Sequence, residues 1–121
     1  MILAWSFTSG TAVYLQIADR IIKSILSGEY SPGQQLPTVR QLALESAVNP
    51  NTVQKAFTNL ESKGILVSKG TSGRFATDDG EVIETSRKEL ASQTINKFLK
   101  DMKSLSYSDQ EIFNLLKEVE G

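Results

Sequence analysis

The 121-residue sequence predicts a mainly α protein with one small β-hairpin, an α+β fold in two parts. Three observations predict it. Two stretches with apolar residues at helical spacing are joined by little more than Ala47 and Val48, which leaves room only for a tight turn. A hairpin pattern follows directly in "ILVSKGTSGRFAT". After the polar break "DDGE" (78–81), two further helical stripes occupy the remaining sequence.

At the start, "ILAWSF" (2–7) suits a short strand or a packed arm. "TAVYLQIADRIIKSILSG" then puts Tyr14, Ile17, Ile21 and Ile25 on one helical face, with Ala18, Ile22 and Leu26 beside it and Gly28 as C-cap glycine. Pro32-Gly33 signals a turn. Thr38, with Gln41 three residues on, predicts a capping box opening "VRQLALESA", whose inner face is Val39, Leu42 and Ala43. In the next helix Asn49 suits the N-cap, Pro50 the first helical position and Gly64 the residue past the end. Its stripe is Val53, Ala56, Phe57 and Leu60. Ile65, Leu66 and Val67 read as a strand, and Arg74 to Thr77 as its return. Two helices across a tight turn followed by a hairpin make a winged helix-turn-helix, expected over residues 1–77.

A linker is expected at 78–84, because "DDGE" breaks both periodicities. The tail, 85–121, carries Leu90, Ala91, Ile95, Phe98, Leu99 and Met102 at helical spacing. Ser108 with Glu111 is a second capping box, opening a helix with Ile112, Phe113, Leu115, Leu116 and Val119. Two amphipathic helices alone close too little core. They are expected to pack on the first part, on a second copy, or both; Leu90, Ile95, Phe98, Leu99, Met102, Ile112, Phe113 and Leu116 are the candidate dimerisation residues.

The composition excludes several chemistries. Without Cys there is no disulfide framework or thiolate, and without His the common metal ligand and general base are missing, so neither metal nor other cofactor is expected. "GTSGR" is too short and wrongly composed for a phosphate-cradling loop, and no Asp/Glu pair sits among glycines or pocket formers; an enzyme is not expected. No apolar run approaches the roughly 20 residues of a membrane span. "MILAWSFTSG" lacks the basic start and long apolar core of a signal peptide, and a cytoplasmic setting is expected. The net charge of −1 argues at face value against a nucleic-acid partner. It is unevenly spread, however: residues 1–76 carry a net +3 and residues 77–121 a net −4, which suggests two functional parts.

Together these residues resemble the GntR family of bacterial transcription factors. The resemblance covers residues 13–76 and rests on Gly28, Pro32-Gly33, Leu36-Pro37-Thr38, Arg40, Leu42-Ala43, Asn51-Thr52-Val53, Leu60-Glu61, Gly64, Gly70 and Gly73. Asn49-Pro50-Asn51-Thr52-Val53 followed by a short two-helix tail is similar to the YtrA branch; the length leaves no room for the ligand-binding domain of larger members. The resemblance implies a repressor-type regulator. It would act as a homodimer that places two recognition helices in successive major grooves of a palindromic operator. Its targets would include its own operon, often one encoding an ABC-type transporter. A small-molecule effector is left open and unidentified. In other branches arginines that contact DNA stand where this sequence has Pro50 and Gln54, so that role is not carried over. Phe57 replaces a frequent Tyr and Tyr30 a frequent aliphatic, both as packing changes.

The second helix of such a motif enters the major groove tip first. Here its first turn carries no acid, although the helix dipole favours one. Asn51 and Gln54 can pair with base edges, and the free N–H groups of the turn can hold phosphate. Arg40, whose family counterpart contacts DNA, can reach the backbone or the groove edge, and Lys55 is a phosphate contact by position; Lys69 and Arg74 flank a wing turn in which Gly70 and Gly73 permit close approach. Thr38, Asn49 and Thr52 complete the candidate DNA-binding set. Blander readings stand beside these: a good cap on a surface helix, Arg40 paired with Glu45 or Glu61, plain hairpin glycines, and Lys63 complementing a helix dipole. The alternative function is a winged-helix protein-interaction module that does not bind DNA.

Overall fold

A computed structural model of the protein describes residues 5–120, with side chains for 5–119. It divides into two compact units between Ser86 and Arg87. The first holds α1 (Val13–Leu26), α2 (Val39–Ser46), α3 (Pro50–Ser62) and an antiparallel pair, β1 (Leu66–Ser68) and β2 (Arg74–Ala76). The division falls within α4 (Gly80–Ser104), and α5 (Asp109–Glu120) belongs to the second unit.

The helical stripes close one core. Ile17, Ile21 and Ile25 of α1, Leu42 of α2, and Val53, Ala56, Phe57 and Leu60 of α3 are buried together with Tyr30, Ile65, Leu66 and Ala76. α1 and α2 both pack against α3. Each large apolar side chain so enclosed contributes about 1.5–3 kcal/mol relative to exposure. Burial, followed by the charges of Glu29 and Glu45, raises the pKa of the Tyr30 phenol above its ordinary value.

Capping defines the helix-turn-helix. Thr38 Oγ1 accepts from the Gln41 N–H at 3.1 Å, and Gln41 Oε1 accepts from the Thr38 N–H at 2.8 Å, so both halves of the capping box form. α2 ends on Ala47 in the left-handed conformation, φ 56° and ψ 37°, its N–H donating to the Ala43 carbonyl. Asn49 Oδ1 then accepts from the Asn51 N–H at 2.8 Å, with Pro50 at the first helical position of α3.

In the wing, Leu66 lies opposite Ala76, Val67 opposite Phe75, and Ser68 opposite Arg74, around a 3-10 turn at Gly70–Ser72. The segment before α2 joins this pair, which the sequence does not suggest. The Ala76 N–H donates to the Gln34 carbonyl at 2.8 Å, the Leu36 N–H to the Arg74 carbonyl at 2.9 Å, and Gln35 bridges to Phe75.

Of the two readings of residues 2–7, the described ones take the packed arm: Trp5 and Phe7 pack on the core and residues 5–7 form no strand, while residues 2–4 lie outside the described residues. Two expectations are corrected. The stretch 78–84 is mostly helix, because Asp79 Oδ1 accepts from the N–H groups of Glu81 and Val82 at 3.0 and 3.4 Å and starts α4 at Gly80. Gly80 reads as a breaker only when the cap before it is overlooked. Ile112, proposed for dimerisation, is only 2% exposed within a single chain and offers no free surface.

The rest of the tail is open. α4 has no buried residue. Ile95, Phe98, Phe113 and Leu116 are exposed, as are Leu105 and Val119, while Leu90, Leu99 and Met102 are half-buried. The second capping box forms: the Ser108 N–H donates to Glu111 Oε1 at 3.0 Å and the Glu111 N–H to Ser108 Oγ at 3.2 Å. No helix of the described residues is long and apolar enough to cross a membrane.

Candidate nucleic-acid interface

The exposed start of α3 carries Asn51, Gln54 and Lys55, with Thr52 half-buried beside them. No acid stands in the first turn of α1, α2 or α3, whereas α4 has Glu81 and α5 has Asp109 and Glu111 there. Helices α1 to α3 thus leave their positive dipole ends without an internal anion. Asn49 uses its side-chain oxygen for capping, as does Thr38, whose hydroxyl proton is left to donate. Gln54 Nε2 makes a long hydrogen bond to Thr58 Oγ1, 3.3 Å away on the same helix.

The cations separate into two groups. Arg40 is exposed on the first turn of α2 and has no ion-pair partner among the described residues. Both acids weighed as its partners are engaged elsewhere, Glu45 by the Trp5 indole N–H at 3.3 Å and Glu61 by Arg74. Lys55 and Lys69 are also exposed, each resting on a ring: Lys55 Nζ is 4.3 Å from the Tyr14 centroid and Lys69 Nζ 4.7 Å from that of Phe75.

Arg74, also a candidate DNA contact, belongs to the other group because it is engaged within the chain. Its Nε donates to Glu61 Oε1 at 2.6 Å, the two side chains being 25% and 29% exposed. The guanidinium also lies 5.2 Å from the ring of buried Phe57. In this position Arg74 braces β2 against α3. A charge beside a hairpin turn reads as a phosphate contact in sequence, but its partner is supplied by tertiary structure.

Gly73 is dictated by the hairpin as much as by any ligand. Its φ is +108°, and a Cβ there would stand 2.8 Å from Gln35 Nε2, which itself donates to the Ser72 carbonyl at 2.7 Å. Gly70 faces open space in the exposed turn. Sequence reading missed Tyr14 and Phe75 as rings beneath the lysines, and Gln35 as the tie beneath the wing. No local pattern announces contacts between residues so distant along the chain. No cluster of potential metal ligands occurs among the described residues.

This arrangement presents an acid-free helix end, two neutral amides and three unneutralised cations, which suits a polyanion with readable edges. Comparison with known proteins agrees with that chemistry. The profile described as "Bacterial regulatory proteins, gntR family" matches residues 13–75. The uncharacterized HTH-type transcriptional regulator YhcF of Bacillus subtilis is 33% identical over 111 residues, covering 92% of each chain. The repressor YtrA of the same organism is 37% identical over 73 residues, 60% of this chain and 56% of that one. Among solved structures, a GntR family transcriptional regulator from Listeria monocytogenes superposes with a TM-score of 0.85 at 31% identity, covering 93% of this chain and 98% of that one. The DNA-binding domain of AraR in complex with operator ORX1 gives a TM-score of 0.54 at 28% identity, covering 60% of this chain and 93% of that one. The chain therefore belongs to the GntR family of helix-turn-helix transcriptional regulators, DNA-binding proteins rather than enzymes.

Proposed function

We propose that the chain is a cytoplasmic repressor that binds a palindromic operator as a homodimer, reading bases with Asn51 and Gln54 at the tip of α3. The observation that carries this reading is the unneutralised, exposed trio Arg40, Lys55 and Lys69 around a helix start that lacks acids. Thr38, Asn49, Thr52 and the backbone at Gly70 and Gly73 complete the proposed contact surface. The repressor and the operator complex among the similar proteins support the direction of regulation and the kind of partner. The exposed apolar residues Ile95, Phe98, Phe113 and Leu116, with half-buried Leu90, Leu99 and Met102, support a second copy as the tail's partner. The chain's own operon, of the transporter type, is the proposed target, and the effector site stays unassigned.

The test is a footprint of the full chain on DNA upstream of its own gene, with titrations on that fragment and on a scrambled one. Two-fold symmetric protection with half-sites about 34 Å apart is expected. Three cations per subunit predict that affinity falls at least about tenfold between 50 and 200 mM salt, even if only half of them touch phosphate. A flat salt response contradicts DNA binding and favours the interaction module. Protection of a single half-site contradicts the dimer.

A further inference from the structure

We infer that Tyr14 is a positioning residue for DNA binding, its ring holding the Lys55 ammonium beside α3 where a backbone phosphate would be met. The inference rests on the DNA-binding reading above. Tyr14 lies in the first turn of α1, half-buried against the core, so its ring is anchored by packing. Lys55 lies in α3, exposed, with Nζ 4.3 Å from the ring centroid and no ion-pair partner among the described residues.

The choice of partner matters. Three lysines away from the interface are tied to carboxylates: Lys23 to Asp19 at 2.9 Å, Lys97 to Asp101 at 2.8 Å and Lys103 to Asp109 at 3.4 Å. A carboxylate fixes an ammonium but cancels the charge that a phosphate would attract. A ring face attracts the cation through its quadrupole and leaves the charge intact. The ammonium also keeps donors free for an incoming oxygen. Lysine has more rotamer freedom to lose on docking than most side chains, so order imposed in the free protein lowers the cost of binding. Lys69 over Phe75 repeats the arrangement on the wing. Lys117 over Phe113 is a different case, since those residues are four apart on one helix and the pair is local. Tyr14 and Lys55 instead join two helices, α1 and α3.

The experiment is a double-substitution cycle on the full chain, titrated with a mixed-sequence duplex of about three helical turns, since phosphate contacts do not depend on sequence. Tyr14→Leu should lower affinity about two- to five-fold per subunit, the range set by exposed cation–ring pairs. Lys55→Met should lower it further and reduce the salt slope by about 0.9 for each phosphate no longer neutralised. In the Lys55→Met background, Tyr14→Leu should then cost nothing. Tyr14→Phe should match the unsubstituted chain. Pentafluorophenylalanine at the same position, nearly the same shape with the quadrupole reversed, should behave like Tyr14→Leu and decides the matter should the leucine variant fail to fold. Equal losses from Tyr14→Leu in both backgrounds would overturn the inference. So would a Tyr14→Phe loss as large as that of Tyr14→Leu, which would make the hydroxyl itself the DNA contact. In the free protein the Lys55 ε-protons should show an upfield ring-current shift. Its absence in a chain that binds DNA overturns the positioning role alone, whereas its presence in a chain that binds no duplex at low salt overturns the DNA reading.

Discussion

Phe57 and Phe113 both sit on the apolar stripe of an amphipathic helix, yet Phe57 is fully enclosed and Phe113 is 55% exposed. The same contrast runs through the two parts of the molecule. In the first unit, α1 and α2 cover the stripe of α3; in the tail, α4 and α5 leave most of theirs open. Helix starts differ in the opposite sense: α4 and α5 satisfy their dipoles with their own acids, and α1 to α3 do not. Each part is complete where the other is not. Helices α1 to α3 have their core and lack an anion, while α4 and α5 have their anions and lack a cover. Periodicity identifies which face is apolar or which end is bare, but the partner that completes it has to come from elsewhere.

The largest test of that contrast is truncation of the two aromatics. Phe57→Ala should cost about 3–5 kcal/mol in urea unfolding. Phe113→Ala should leave the dilute chain's unfolding nearly unchanged and weaken self-association in sedimentation. Equal destabilisation by both would break the comparison. Ile112→Ala, next in size, should behave as a core change and cost about 2–5 kcal/mol of the chain's own stability.

Bare helix starts can be probed through Asn51. Asn51→Ala should cost operator binding about 1–3 kcal/mol and leave scrambled duplex nearly unaffected. Asn51→Asp should stabilise the free protein by about 0.3–1 kcal/mol and weaken binding to every duplex, because the acid occupies the place of the external anion. Loss of stability in the Asp variant would show that the helix start is not awaiting a negative charge.

Arg74 and Lys69 sharpen the picture within the wing. Arg74→Met should cost about 1–2 kcal/mol in thermal stability, between the values for exposed and buried pairs, and leave the salt slope of DNA binding in place. Lys69→Met should do the reverse. Equal reductions in slope would restore Arg74 as a phosphate contact.

The smallest effect concerns Glu111, whose carboxyl is held below its ordinary value of 4.5 by the hydrogen bonds of the Ser108 N–H and hydroxyl. A lowered folded-state value means that its contribution to α5 is present above 4.5 and lost as pH falls through the folded value. The helicity of α5 should therefore decline slightly on acidification, and Ser108→Ala should reduce that step without removing it, because alanine keeps the backbone N–H that is the larger cause.

Legibility in the sequence followed the range of the interaction. The capping boxes at Thr38 and Ser108 and the stripe of α3 are encoded within four residues, and the structure has them where the pattern places them. The pairing of Gln34–Leu36 with β2 was not legible, since "GQQLP" shows no alternation and its partner lies across the wing. The Arg74–Glu61 pair and the rings beneath Lys55 and Lys69 were hidden for the same reason. Sequence names a candidate surface on α3 and the wing, but it does not reveal that Arg74 is paired with Glu61 there.

Ala47 carries a consequence for how such a protein can change. A residue with a side chain holds the left-handed conformation between α2 and α3, at φ 56°, where glycine would sit without strain. The turn has no intrinsic preference for that bend, which costs about 1–2 kcal/mol and is imposed by the helices packed on either side. The angle at which α3 is presented is accordingly a property of Leu42, Ala43, Val53 and Phe57 rather than of the connection. Substitutions in that interior can tilt α3 while every residue exposed on it stays the same. The direction in which α3 presents its exposed residues can drift from the inside.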